Sequence, residues 1–359
     1  MRSDTSWEEI ERFYHEALDV PANERKALLE RASPAVREEV ESLLEADLSA
    51  EDFSAPPIHL AADLLNGQPS GLSTGHRVAN YEVESLISIG GMGEVYLARD
   101  AVGKPVALKI LRRHLITNAQ AIDRFETEAR AASALRHPNI VTVYEFGKSD
   151  AGMFIAMEWL DGPTFRAVMD AREVEIADAI DWAGQAARAL SAAHAAAILH
   201  RDIKPENIML CKGGAAEATL RSRGSVKILD FGLARHGAPR LEPDLMGASG
   251  TISGSLSGTL SYMSPEILRG ETATSASDVY SLGAFLYELF SAKHPFSAAT
   301  PLDILEAIES RPLESLVSQR AGVPADVDAV ISRMLDREPG RRPAAMEVWE
   351  VLKKNNRLA

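Results

Sequence analysis

The segment Ser88-Ile89-Gly90-Gly91-Met92-Gly93-Glu94 lies between two runs of strand character, one opening at Tyr81 and Val83, the other Val95-Tyr96-Leu97-Ala98. Glycines between strands let the backbone approach an anionic ligand closely and offer bare N–H groups to phosphate oxygens. A dinucleotide-binding fold would need a helix directly after such glycines. Here a strand follows, which disfavours that fold. Taken alone, such a cluster is more often a plain hairpin turn than a phosphate loop.

An ordered series of motifs follows it. Val106-Ala107-Leu108-Lys109 ends an apolar strand on a lysine, a residue that on most strands simply faces solvent. A helical-period stretch, Arg124-Phe125-Glu126-Thr127-Glu128-Ala129-Arg130, leads into His137-Pro138-Asn139-Ile140-Val141. Then come His200-Arg201-Asp202-Ile203-Lys204-Pro205-Glu206-Asn207 and Val226-Lys227-Ile228-Leu229-Asp230-Phe231-Gly232. Ser264-Pro265-Glu266, Asp278-Val279-Tyr280-Ser281-Leu282-Gly283 and Arg341-Arg342-Pro343 close the series. Each could arise by chance, but their order and spacing together could hardly do so.

From about Tyr81 to residue 355, this set resembles the eukaryotic-type protein kinase domain. It is most similar to the bacterial serine/threonine kinases, whose glycine loops often read as Gly90–Tyr96 does here. The resemblance implies an α+β, bilobal fold: a small β-rich N-lobe, a larger, mainly α-helical C-lobe, and a nucleotide in the cleft between them. It implies an enzyme that transfers the γ-phosphate of ATP, with Mg²⁺, to Ser or Thr hydroxyls of protein substrates. The alternative is a pseudokinase or nucleotide-binding scaffold. Pseudokinases commonly lack one or more of the residues matching Lys109, Glu128, Asp202, Asn207 and Asp230, and all are present here.

Phosphoryl transfer needs charge neutralisation and alignment more than covalent help. By resemblance, Lys109 holds the α/β-phosphates and Glu128 pairs with it; Glu126 competes, but the spacing to His137-Pro138-Asn139 favours Glu128. Asp230 and Asn207 match the metal ligands, hard oxygen donors that suit Mg²⁺. Asp202 matches the base that takes the acceptor hydroxyl's proton, and Lys204 the lysine that reaches the γ-phosphate. Asp-x-Lys-x-x-Asn, with Thr259 in Gly258-Thr259-x-x-Tyr262, accompanies serine/threonine specificity. Ile87, Val95, Ala107 and Met209 would sandwich the adenine, with Met157 as gatekeeper and the backbone of Glu158 and Leu160 as hinge. The competing reading of these apolar residues is ordinary strand core, and for Val95 and Ala107 both can hold at once. His200 reads as a packed, hydrogen-bonded residue, Glu266 and Arg342 as a buried ion pair, and Asp278 as a brace for the catalytic loop.

Two departures stand out. Ser88 occupies the first position of the family's Gly-x-Gly-x-x-Gly pattern, with Gly90 and Gly93 keeping the others, so weaker nucleotide affinity is the most it should cause. Lys212–Gly224 is an insertion that reads as a longer surface hairpin. The stretch Gly237–Gly258 is dense in Gly and Ser, and Arg201 precedes Asp202 as in relatives that bind a phosphate on this loop. Autophosphorylation at Thr251, Ser253, Ser255 or Ser257 is the expected switch, with Thr251 and Ser253 favoured.

The charge is uneven. The 359 residues carry a net charge of −14, and residues 1–75 alone hold 6 basic against 16 acidic side chains. Trp7, Ile10, Tyr14, Ala17 and Leu18, then Val36, Val40, Leu43 and Leu44, recur at helical spacing, with Ser33 as N-cap, Pro34 at the first helical position and a middle helix near Glu24–Arg31. The expected organisation is an acidic helical module at 1–48, a Pro/Gly/Ser-rich linker at 49–78 and the kinase-like domain at 79–355. Residues 1–75 read equally as a solvated appendage or as a docking site for a regulatory protein. The acidity argues against nucleic acid and anionic membranes as partners. Asp4, Glu8, Glu9 and Glu11 stand where a signal peptide's basic region would lie, and no apolar run reaches the ~18 residues of a membrane span. With Cys211 as the one cysteine, no intramolecular disulfide can form. A cytoplasmic protein is the expectation.

Overall fold

The computed structural model describes residues 31–33, 36–37, 71–90, 93–111, 130, 133–171, 174–211, 224–231, 260–296 and 301–356. The chain divides into two compact units, Met1–Ala62 and Asp63–Ala359. In the first, the Ser33 hydroxyl accepts the Val36 N–H at 3.3 Å, and the Arg37 N–H bonds the Ser33 carbonyl at 2.9 Å. Ser33 therefore caps a helix start, as its residue type favours. Pro34 and the other expected helices of this unit lie outside the described residues.

The second unit opens with a six-stranded antiparallel sheet: β1 (Arg77–Val78), β2 (Tyr81–Gly90), β3 (Gly93–Arg99), β4 (Pro105–Leu111), β5 (Val143–Ser149) and β6 (Gly152–Glu158), in the order β1-β2-β3-β4-β6-β5. Strand alternation sorts the side chains between two faces. Tyr96, Ala98, Val106, Leu108 and Ile110 join Tyr81, Val83 and Phe154 in one apolar core. Ala107, Ile155 and Met157 belong to a second core on the other side. Because β4 is central, both its faces are covered, and Lys109, at 5% exposure, is a cation inside an apolar strand.

The remaining elements are mainly helical: α1 (Phe165–Ala171), α2 (Ile176–Ala195), the hairpin β7 (Ile208–Cys211) with β8 (Ser225–Ile228), α3 (Pro265–Leu268), α4 (Ser275–Ser291), α5 (Pro301–Ser310), α6 (Leu316–Gln319), α7 (Ala325–Met334) and α8 (Ala345–Asn356). Alanines dominate the buried face of α2, with Trp182 and Leu190 among them. These small side chains allow close packing against α8, where a Cβ on Gly184 would sit 3.8 Å from the Leu352 Cβ. The central helix α4 buries Val279, Tyr280, Leu282, Phe285, Leu286 and Phe290. Its Gly283 leaves no room for a side chain, since an added Cβ would lie 2.8 Å from that of Met334 on α7. The small β-rich part and the larger helical part are the bilobal fold the motifs imply.

The glycine hairpin differs from the expected loop. Pairing of β2 with β3 continues to Gly90↔Gly93, so Ser88 and Gly90 are strand residues, and 91–92 alone lie outside the described residues. Gly93 has φ +153°, and a Cβ there would fall 2.0 Å from the Ile110 carbonyl oxygen. Its lack of a side chain is therefore demanded by the β3–β4 contact, whatever it does for phosphate. Gly93→Ala is expected to lower stability by about 1–3 kcal/mol, the usual range for overpacking. Thermal melts without nucleotide check this, because a glycine needed only for phosphate would leave that midpoint unchanged.

Candidate active site

The site is assembled where β4, the segment 200–207 and the end of β8 meet. The Lys109 ammonium contacts Asp230 Oδ2 at 2.8 Å, bridging the two lobes. Burial alone would push the Asp230 carboxyl up, but the Lys109 charge and hydrogen bond outweigh it, helped by Lys204. The carboxyl is thus held below its ordinary range and stays charged. Asp230 has φ +55° and Arg201 φ +69°, left-handed backbone that is uncommon outside glycine and that aspartate tolerates better than arginine. Glu128, the expected partner of Lys109, lies outside the described residues; the described partner is Asp230.

Asp202 Oδ2 accepts the Lys204 ammonium at 3.0 Å and the Asn207 amide Nδ2 at 2.8 Å. Asn207 Nδ2 also donates to the Asp202 carbonyl at 2.8 Å, which turns the amide oxygen away from Asp202. The turn Pro205–Asn207 is tied to β8 by the Leu229 N–H donating to the Asn207 carbonyl at 2.9 Å. The two metal-ligand candidates, Asn207 and Asp230, are thus held by adjoining backbone.

Deeper groups fix this loop. Asp278 accepts the His200 and Arg201 N–H groups at 2.8 and 2.7 Å and contacts His194 Nε2 at 2.9 Å. His200 is fully buried; its Nδ1 accepts the Asp202 N–H at 3.2 Å, so Nε2 carries the proton and donates to the Leu229 carbonyl at 2.7 Å. With both ring nitrogens committed to backbone, His200 is a brace and no base. Phe231 packs edge-on against its ring.

The expected adenine residues come together with one exception. Ala107, Met157 and Leu160 share a buried cluster with Val141, Val143, Ile155 and Cys211, and Val95 and Met209 pack against it. Ile87 stands apart at 43% exposure. Cross-strand pairing passes from Leu86 directly to Ser88, so Ile87 is the unpaired residue of a bulge. Glu158 does more than offer backbone: its Oε2 accepts the Lys227 ammonium at 2.7 Å and the Thr142 N–H at 3.2 Å.

Several of these contacts escaped the sequence reading. Cys211 could have been placed by alternation, two residues beyond Met209 on the same strand face; burial raises its thiol pKa. Lys227 pairs opposite Met209 in the β7–β8 hairpin, so the same alternation aims it at the hinge. Asn139 does more than mark the spacing to Glu128. It is 2% exposed, donates to the Val226 carbonyl at 2.9 Å and Gln185 Oε1 at 2.8 Å, and accepts from Arg188 at 2.8 Å. It thereby anchors the strand that delivers Asp230. Thr251, Ser253, Ser255, Ser257 and Thr259, with the insertion's residues 212–223, lie outside the described residues. The strands flanking that insertion pair as a hairpin, Cys211 opposite Ser225.

No described helix is long and apolar enough to cross a membrane. Over 276 residues the chain is 36% identical to the serine/threonine-protein kinase pkn3 of Myxococcus xanthus, covering 75% of this chain and 48% of that protein. It is likewise 36% identical over 275 residues to the serine/threonine-protein kinase PknB of Mycobacterium leprae, covering 74% of this chain and 41% of the relative. The chain thus spans about half the length of these curated relatives, or less. Among solved structures, the PknI kinase domain of Mycobacterium tuberculosis superposes with a TM-score of 0.60 at 25% identity, over 80% of this chain and 100% of that one. Residues 81–351, which build both lobes and every contact of the cleft, match the protein kinase domain, and the chain belongs to that family.

Proposed function

We propose that this chain is an ATP-dependent serine/threonine protein kinase acting on protein substrates in the cytoplasm. The observation that carries the reading is the meeting of Lys109, Asp230, Asn207, Asp202 and Lys204 at one cleft, in contacts of 2.8–3.0 Å. Asp202 would accept the hydrogen bond of a Ser or Thr hydroxyl and take its proton as the new P–O bond forms and the bond to ADP breaks. Lys204, already on Asp202 Oδ2, stands where it can serve both that carboxylate and the incoming phosphate. Lys109 would exchange part of its contact with Asp230 for the nucleotide's phosphates.

The donor set fits Mg²⁺, which binds through one or two protein oxygens and completes its shell with phosphates and water. Asp230 supplies a carboxylate kept charged, and Asn207 an amide oxygen turned away from Asp202. When bound, the ion would neutralise charge on the phosphates. Arg201, beside Asp202, supports regulation by phosphate on residues 249–257, and residues 1–75 are proposed as the docking segment for a regulatory protein.

The test is incubation of the full chain with ATP and Mg²⁺ alongside peptides offering Ser, Thr or Tyr, with sites read by mass spectrometry. Transfer to Ser and Thr but not Tyr is expected, with phosphate on Thr251 or Ser253 of the chain itself. Tight nucleotide binding without any transfer would favour the pseudokinase reading.

A further inference from the structure

Outside the catalytic contacts, one charged cluster joins four separate parts of the C-lobe. Arg166, second residue of α1, donates through Nε to Glu206 Oε1 at 3.1 Å and through one terminal nitrogen to Glu288 Oε1 on α4 at 2.9 Å. Its other terminal nitrogen bonds the Tyr262 hydroxyl at 2.5 Å, and that hydroxyl donates to Glu288 Oε2. Asp170 lies 3.7 Å away on the next turn. Glu206 belongs to the catalytic loop itself, between Lys204 and Asn207, and its side chain is 46% exposed. A protein segment that presents a hydroxyl to Asp202 comes up to the loop that carries Glu206, four residues on.

Two carboxylates from different elements, converging beside a catalytic loop, form the kind of fork a guanidinium fits. In this chain the guanidinium is supplied internally. Each nitrogen of the Arg166 fork is already used, and Arg320 lines the same small cavity with Asp170 and Glu288. A second cation entering would meet two guanidinium groups.

We propose that Arg166 is a specificity-determining residue: it fills the Glu206–Glu288 pair and so excludes the lysine or arginine of a substrate from that place on the rim. The inference rests on the protein kinase reading. Unlike a helix-start ion pair that only holds α1, it decides which sequences next to the acceptor are accepted.

The test compares the full chain with Arg166→Met and Arg166→Lys on peptides carrying one serine and one arginine, the arginine walked through each neighbouring position. The readout is kcat/KM for each arginine peptide relative to its alanine counterpart. In Arg166→Met this ratio is expected to rise about tenfold or more at one position, the gain of one charge-assisted pair. Arg166→Lys should stay near wild type, and Arg166→Met combined with Glu206→Gln should lose the gain. An unchanged ratio in a folded Arg166→Met protein overturns the proposal.

Should Arg166→Met fail to fold, Glu206→Gln alone decides. A closed pair predicts no change in the arginine ratio, whereas a fall would mean that Glu206 already receives substrate cations and the proposal is wrong. If wild type transfers no phosphate to any peptide or to itself, the kinase reading fails. Fluorescence anisotropy of the same peptides then tests the inference separately, with tighter arginine-peptide binding expected in Arg166→Met and equal binding overturning it.

Discussion

Asp202→Asn is expected to slow phosphate transfer by about 10²–10⁴-fold, the usual contribution of a positioned general base, while nucleotide affinity stays close to wild type. The substitution keeps the shape of the side chain, and an amide oxygen can still accept from Lys204 and from Asn207. What it removes is the capacity to take a proton from the acceptor hydroxyl. In the proposed mechanism the nucleotide is held by Lys109 and Asp230 across the cleft, and Asp202 touches neither in the described contacts. Single-turnover transfer to a serine peptide, paired with a nucleotide titration, separates these roles. Full activity in Asp202→Asn would move the base elsewhere. Loss of nucleotide binding would show that the residue mainly shapes the loop. Lys109→Met is the contrasting variant: it leaves the Asp230 carboxylate without its cation and should impair both measurements.

The elements that carry this site are legible in local pattern, whereas the roles of its residues come from the ordered motif set and its resemblance to the kinase family. An apolar strand carrying Lys109, a short loop carrying Asp202, Lys204 and Asn207, and a strand leading to Asp230 each announce their element. The partners of those residues were less legible. Periodicity assigns a side chain to a face but does not say which distant element covers that face. Arg166 meets Glu288 across 122 positions of sequence, and nothing near either residue marks the encounter. Lys227 and Glu158, 69 positions apart, pair only because two hairpins stack at the hinge. Ile87 shows a different limit. A bulge inserts one unpaired residue and changes which side chains face the cleft, and the apolar pattern of Leu86, Ile87 and Ile89 gives no sign of where it falls. Gly93 shows a third limit, since a glycine demanded by a neighbouring strand looks identical in sequence to one demanded by a phosphate.

Arg342→Ala is expected to cost about 3–5 kcal/mol of folding stability, the range for stranding one member of a buried ion pair. The pair is bidentate, Arg342 to Glu266 Oε1 at 2.7 Å and to Oε2 at 2.8 Å, with side-chain exposures of 0% and 5%. Ser277 donates to Glu266 Oε1 at 2.8 Å, and Arg342 also reaches the carbonyls of Asp336 and Ala276 at 2.8 and 3.0 Å. One guanidinium thus joins α3, the start of α4 and the segment before α8. Burial would raise the Glu266 pKa, but its bonds to Arg342 prevail and hold it below the ordinary value of 4.5. A carboxyl lowered on folding stabilises the native state above its unfolded pKa, and that contribution disappears as pH falls through the folded value. Wild type should therefore lose stability on acidification below about pH 4.5. Arg342→Ala reverses the sign at this residue, because a buried glutamate without its cation titrates upward and is relieved by protonation. The gap in melting midpoint between wild type and Arg342→Ala should accordingly narrow as pH is lowered. A gap that is constant with pH would mean that the arginine acts through packing on Tyr280, whose ring lies 4.9 Å beneath it, more than through charge. Replacing both partners by apolar residues should recover much of the loss, since the penalty belongs to the unpaired carboxylate and not to the absence of a salt bridge.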